Sequence, residues 1–341
     1  MFHPFPSRLL PWFFENRRNL PWRQDRDPYH VWLSEIMLQQ TRVEAVKPYY
    51  LRFLAALPTV EALAEAPAEL LHKLWEGLGY YSRMRNLQAA AQKICREFGG
   101  KFPTTYEEVR SLPGIGPYTA GAICSICFGL PTPAVDGNVL RVCSRFINSA
   151  EPIDKPRTVK AMTDALAAIY PAKQCGDFTQ ALMELGATVC VPNGIPHCGS
   201  CPLADLCLAH QAGRETLLPV KSPKKPRRTE RFSVLLLHCK DRFAMLRRPE
   251  NGLLAGLLEF PHVEESLDAA AALKLVESWG LHPAELEGII HRTHIFTHVQ
   301  WEMDGWYIRC AQEGGNFQWL DPKEAAIPTA FRILLERTLL S

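Results

Sequence analysis

Over the first 210 residues the apolar positions recur at helical spacing and predict an almost entirely helical region. Helices are expected over residues 7–20, 30–47, 49–56, 60–66, 68–76, 84–98 and 107–112. Others follow from Pro117 through the apolar run Ala120–Phe128, and over 141–147, 159–169 and 179–188. Pro48 should interrupt the run that begins at His30, because an internal proline removes a backbone donor and crowds the preceding turn. From residue 213 to about residue 231 the periodicity breaks. Beyond it FSVLLLHC, RFAMLRRP, GLLAGLLEFP and THIFTHVQWEMDGWYIRC read as strands, with helices near 269–278 and at the C-terminus. The pattern divides the chain into a helical domain at 1–212, a linker at 213–231 and an α+β domain at 232–341.

Composition adds little to this picture. The net charge is only +2 over 341 residues, so any nucleic-acid contact needs a local basic surface. The linker segment VKSPKKPRRTER carries six Lys or Arg and one Glu; it reads as a solvated connection that can also touch a phosphate backbone. The start, Met-Phe-His-Pro-Phe-Pro, lacks a charged region followed by an apolar core, so no secretory signal is expected. No apolar run reaches membrane-spanning length, and no membrane partner is expected. Eleven cysteines in that setting argue for reduced thiols in the cytoplasm.

Candidate chemistry gathers in the helical half. In LPGIGPYTAG, Gly114 and Gly116 sit where a tight turn between helices needs a positive φ or no Cβ. Pro117 suits the first position of the next helix, and the Gly-Ile-Gly N–H groups at that helix start offer a place for a phosphate oxygen. Asp136, in AVDGNVLR, reads as an N-cap. Capping can be its whole role, or it can also serve a site. Glu35 lies among Trp32, Leu33, Ile36 and Leu38 in VWLSEIMLQQT. It is either a surface carboxylate on an amphipathic helix or a cleft carboxylate whose burial raises its pKa toward that of a general acid. Gln39, Gln40 and Thr41 can hydrogen-bond base edges. Tyr80 and Tyr81, on a Gly-flanked turn beside Arg83 and Arg85, either stack on bases or pack on the core.

Cys190, Cys198, Cys201 and Cys207 follow as C-x7-C-x2-C-x5-C. Four thiols this close in a reduced compartment indicate a metal site. Zinc would take four thiolates, usually as two separated C-x2-C pairs. A single C-x2-C with two outlying cysteines suits an iron–sulfur cluster better.

These motifs carry a family resemblance along nearly the whole chain. LPGIGPYTAG, VDGNV and the four-cysteine tail resemble the helix-hairpin-helix glycosylase superfamily with its [4Fe–4S] cluster. LPWR, WLSEIMLQQT, GLGYYSR, GLLAGLLEFP and IFTH resemble the MutY branch, the adenine DNA glycosylases. The resemblance implies an all-α helix-hairpin-helix glycosylase fold followed by an α+β Nudix-like domain. It implies Glu35 and Asp136 as the catalytic acids, with Tyr118 and Asn138 lining the reaction centre. It further implies Arg23 and Gln180 as contacts to the flipped adenine, Gln40 and Tyr80 as the wedge in the duplex, and Gly114 and Gly116 as the phosphate hairpin. Phe296, Thr297 and His298 match the loop that inspects the opposite, oxidised guanine. The four cysteines match the cluster ligands, although the first gap holds seven residues where six are usual. Thr297 stands where Ser is usual, and Leu258 where Trp is common. No Arg-Glu-x-x-Glu-Glu run follows Pro261, so the Nudix-like domain lacks the carboxylates for Mg²⁺ and reads as a recognition module.

The implied reaction is hydrolysis of the N-glycosidic bond of adenine mispaired with 8-oxoguanine or guanine in duplex DNA, by a monomer associated with the nucleoid in the cytoplasm. Two rival classes are a bifunctional glycosylase/lyase, which Tyr118 and the C-terminal domain argue against, and a non-enzymatic metal-dependent DNA-binding protein, which Glu35 and Asp136 argue against.

Overall fold

The structure is a computed structural model that describes residues 1–223, 226–249 and 251–336. Lys224 and Lys225 of the expected linker, and residues 337–341 of the expected second domain, lie outside the described residues. The chain forms two compact units: Met1–Ala66 with Ser82–Pro223, and Pro67–Tyr81 with Lys224–Ser341.

The first unit is helical. Its elements begin with α1 (Phe5–Asn16), a 3₁₀ turn at Pro21–Arg23, α2 (Pro28–Leu38), α3 (Val43–Ala56) and α4 (Val60–Glu65). Helix α5 (Ala68–Trp75) groups with the second unit. The first unit resumes with α6 (Ser82–Phe98), α7 (Tyr106–Arg110), α8 (Pro117–Phe128), α9 (Gly137–Phe146), α10 (Pro156–Ala167), α11 (Cys175–Thr188) and α12 (Leu208–Gln211). Helix α8 is buried from Thr119 to Ile126, as its nearly all-apolar sequence requires. Phe5, Leu9 and Phe13 of α1 join Phe146 of α9 and Phe178 and Leu182 of α11 in one core.

Two expectations are corrected here. The helix expected over 30–47 ends at Leu38, and Pro48 sits inside α3 without breaking it. The break falls instead at Gln39–Arg42, where Gln40 takes a left-handed φ of 57°. The Arg83 guanidinium, itself buried, stabilises that break by donating to the carbonyl oxygens of Ile36, Met37 and Gln39 at 2.8, 2.9 and 2.7 Å. A side chain from α6 thus satisfies the carbonyls that a helix end leaves unpaired.

The second unit is built on a sheet of β1 (Arg228–Cys239), β2 (Arg242–Arg247), β3 (Leu258–Glu259), β4 (His262–Val263), β5 (Pro283–Ile295), β6 (Val299–Cys310) and β7 (Gln318–Leu320). The order is β3-β2-β1-β6-β5, with β4 on β1 and β7 on β2. β1 runs parallel to β6, from Arg228 opposite Val299 to His238 opposite Arg309. The apolar run of β1 is buried on both faces. Phe232, Val234 and Leu236 face a core containing Phe331 of α14 (Thr329–Arg332); Leu235 and Leu237 face Ala272 and Val276 of α13 (Ala269–Ser278).

GLLAGLLEFP, expected as a strand, is strand only at Leu258–Glu259. Left-handed Gly252, Leu254 and Gly256 turn the rest, and Arg247 and Arg248 hold the turn by donating to the carbonyls of Gly256 and Leu253. The expected linker is also less free than its composition suggests. Leu218 is buried, the Leu218 carbonyl accepts from Arg145 at 2.9 Å, and Val220 pairs with Ile153 at 3.0 Å. Its last residues, from Arg228, already belong to β1.

Candidate active site

A cleft of about 770 Å³ opens in the helical unit. Glu35 on α2, Tyr118 on α8, Asp136 at the start of α9 and Gln180 on α11 all line it. Arg23, Gln40, Gly114, Gly116 and Asn138 line it too, so residues spread over more than 150 positions converge on one cavity.

Glu35 is only 7% exposed. Burial pushes its carboxyl up to about 7, the negative charge of Asp136 adds to that, and the Tyr118 hydrogen bond and the Arg23 cation oppose it. The Tyr118 hydroxyl donates to Glu35 Oε2 at 2.6 Å. Burial, with Glu35 and Asp136 nearby, raises the Tyr118 phenol well above its ordinary value and keeps its proton in place.

Asp136 caps α9, accepting from the Val139 N–H through Oδ1 at 2.8 Å. Its second oxygen accepts from Asn138 Nδ2 at 2.7 Å. Burial raises its pKa, while these donors pull it back. The Asn138 amide is fixed in orientation, because its own oxygen accepts from Arg141 Nη2 at 2.8 Å. Gly186 of α11 makes this possible: a Cβ there would lie 2.6 Å from Asn138 Cβ and 3.2 Å from its backbone.

At the hairpin, Gly114 is left-handed at φ 74°, and a Cβ there would strike Asn86. Gly116 is the N-cap of α8 with an extended φ of −88°; a Cβ there would meet nothing within 4 Å, so its backbone is open to approach. The positive φ expected there is therefore seen at Gly114 and not at Gly116.

Arg23 does not stand alone. Its Nη2 donates to Glu184 Oε2 at 2.9 Å, its Nη1 to the Arg18 carbonyl at 3.2 Å, and its guanidinium lies 5.5 Å from the Phe13 ring centroid. Sequence reasoning missed Arg18, Glu184 and Arg141. Glu184 gave the signal that had singled out Glu35, a carboxylate in the apolar helical run FTQALMELGA.

In the sheet unit, Phe296, Thr297 and His298 form the turn between β5 and β6, closed by Phe296 N–H to the Val299 carbonyl at 2.8 Å. The Phe296 ring is half-buried, with its centroid 4.8 Å from Trp301 and 4.5 Å from His294; Thr297 and His298 are exposed. Tyr80, also left-handed at φ 48°, places its hydroxyl 3.1 Å from Thr297 Oγ1. Gln40 and Tyr80 thus share a backbone conformation that costs a non-glycine residue about 1 kcal/mol or more. Leu258 is buried in the sheet core.

The thiols of Cys190, Cys198, Cys201 and Cys207 line one small cavity. Four soft sulfur donors around one cavity fit a thiophilic metal or an iron–sulfur group. Among the described residues, Cys198 also lies within 4.8 Å of the ligand atoms of His210 and Glu215. Arg145 Nη1 lies 3.2 Å from Cys190 Sγ, a donor suited to a thiolate.

Residues 33–167 match the family described as HhH-GPD superfamily base excision DNA repair protein, and residues 233–337 match the NUDIX domain. Human adenine DNA glycosylase is 37% identical over 357 residues, covering 87% of this chain and 65% of its own length. The mouse adenine DNA glycosylase is 38% identical over 355 residues, covering 87% and 68%. The chain thus spans about two thirds of the length of these relatives. The solved structure of a thermostable thymine-DNA glycosylase superposes with a TM-score of 0.56 at 29% identity, covering 61% of this chain and 95% of that one.

Proposed function

Since this chain belongs to the adenine DNA glycosylase family, we propose that it hydrolyses the N-glycosidic bond of adenine placed opposite 8-oxoguanine, or opposite guanine, in duplex DNA. One observation carries the reading: a buried carboxyl with a pKa of about 7 and a second carboxylate line one cleft large enough for a base.

Adenine leaves poorly as an anion. Glu35, still protonated near neutral pH, delivers a proton to the departing base, a step worth roughly 10²–10⁴ in rate. Asp136, held by Asn138 and the Val139 N–H, supplies negative charge beside the sugar as oxocarbenium character develops. Once the base has gone, Glu35 as carboxylate accepts a proton from the attacking water. Tyr118 fixes the Glu35 rotamer through its 2.6 Å hydrogen bond. As a phenol with a raised pKa it offers no amine for a Schiff base.

Reaching the site requires the adenine to leave the stack, at a cost of a few kcal/mol. Gln40 and Tyr80 fill the gap, Arg23 and Gln180 contact the flipped base, and the N–H groups after Gly114 and Gly116 hold a phosphate. Phe296, Thr297 and His298 inspect the opposite base. Cys190, Cys198, Cys201 and Cys207 would hold a [4Fe–4S] cluster, which supplies a cross-link between the end of α11 and the loop after it.

The test is single-turnover adenine release from a duplex with adenine opposite 8-oxoguanine. Glu35→Gln is expected to keep duplex binding and to lose at least about a hundredfold in rate. A variant that retains more than that removes the general-acid assignment.

A further inference from the structure

The wall of the cleft carries an ion cluster, Arg18, Glu184 and Arg23, of which the reaction above uses only Arg23. Glu184 on α11 is 0% exposed. Its Oε1 accepts from the Arg18 N–H at 3.0 Å and from Arg18 Nε at 2.7 Å; its Oε2 accepts from Arg18 Nη2 and Arg23 Nη2, each at 2.9 Å. Burial pushes this carboxyl up, but the hydrogen bonds from Arg18 and Arg23 outweigh it and bring it down to about 2. It is therefore a permanent anion between two cations, with no part in proton transfer.

Arg23 and Glu35 share the cleft, and the Arg23 cation opposes the protonated form of Glu35. A general acid beside an unscreened guanidinium would lose its proton too early. We propose that Glu184 is a positioning residue for the glycosylase reaction: it pins the Arg23 guanidinium in the cleft and cancels its charge, so that Glu35 remains able to donate a proton. This rests on the functional reading above.

Asp136 also favours the protonated form of Glu35, but it is held by Asn138 and the Val139 N–H. Helix α8 brings Tyr118 and Cys127, and the start of α9 brings Asp136. Helix α11 brings Asp177, which pairs with Arg26 at 3.3 Å, and α3 brings Glu44, which acts on Arg18. Helix α6 brings Arg83, whose guanidinium is engaged by the carbonyls at the end of α2. Glu184 is the carboxylate bonded to Arg23 itself.

The experiment follows adenine release under single-turnover conditions from pH 5 to 9 with the full-length protein. In Glu184→Gln the alkaline limb should move down by about one pH unit, the order that one uncompensated charge produces across a pocket of effective dielectric about 20. Glu184→Asp, which keeps the charge, should leave the limb within a few tenths of its wild-type position. A uniform loss of rate in Glu184→Gln with the limb unmoved is the mark of a merely structural residue and overturns the proposal. Removing one partner of a buried ion cluster is destabilising. If Glu184→Gln is unfolded or too slow to follow, Arg18→Gln decides, since the Arg18 side chain is 34% exposed. That variant leaves Glu184 to Arg23 alone and should move the limb upward; an unmoved limb overturns the proposal. A wild-type protein that releases no adenine at any pH overturns the functional reading and this one with it, whereas normal wild-type release with unmoved limbs overturns this one alone.

Discussion

Glu35→Gln is expected to make the protein more stable at pH 8 while disabling it. The Glu35 carboxyl titrates at about 7 in the folded protein, against an ordinary 4.5. Between those values the native state keeps a proton that the unfolded chain has released. Stability therefore falls as pH rises through that window, and the penalty is complete above pH 7. At 1.36 kcal/mol per pH unit the penalty is about 3 kcal/mol. Glutamine carries no charge, fits the same space and can still accept the Tyr118 hydrogen bond. The variant and the wild type should thus be nearly equal near pH 4.5 and differ by up to about 3 kcal/mol at pH 8. For a unit of this size each kcal/mol moves Tm by about 2–4 °C, so the gap should widen by roughly 6–12 °C. Circular dichroism melts at pH 4.5 and pH 8, at matched salt and iron content, measure it. A gap that does not change with pH, or a wild type that melts higher at pH 8, would refute the burial argument for Glu35.

Three further outcomes are expected. Borohydride should trap no covalent complex with an abasic duplex at wild-type yield, because Tyr118 is a phenol, not an amine; efficient trapping would require a nucleophilic lysine elsewhere. Anaerobically purified protein should contain iron and sulfide in near-equal amounts, whereas stoichiometric zinc without iron would mean that the seven-residue gap before Cys198 marks a different site. Phe296→Ala with His298→Ala should lower the preference for 8-oxoguanine over guanine opposite adenine by about tenfold or more, at about 1–3 kcal/mol per specific contact. An unchanged ratio at one fixed salt concentration would place lesion recognition in the helical unit.

Much of this was legible in the sequence because the signals were local. The apolar run of α8, the Asp136 cap and the two-faced burial of β1 follow from patterns a few residues long. What escaped depends on distant partners. The end of α2 is set by Arg83, 45 positions beyond Leu38, which no pattern around Pro48 could reveal. GLLAGLLEFP has the composition of a strand, yet two arginine side chains hold it as a turn. Residues 68–76 read as one more helix of the helical domain, but Pro67–Tyr81 groups with the sheet unit, where Tyr80 meets Thr297 and Arg332 donates to Glu76. The Arg18–Glu184–Arg23 cluster joins residues about 160 positions apart. A buried carboxylate betrays itself in an apolar helix, but the identity of its partners does not.

The most direct measurement is the identity of the released base. A duplex carrying adenine opposite 8-oxoguanine is incubated with enzyme in excess, and the small-molecule fraction is analysed by mass spectrometry while the strand is treated with alkali. The account predicts free adenine in one-to-one yield with an alkali-labile site in the adenine strand, and an intact strand before alkali. No adenine, or release of the oxidised guanine in its place, would contradict it.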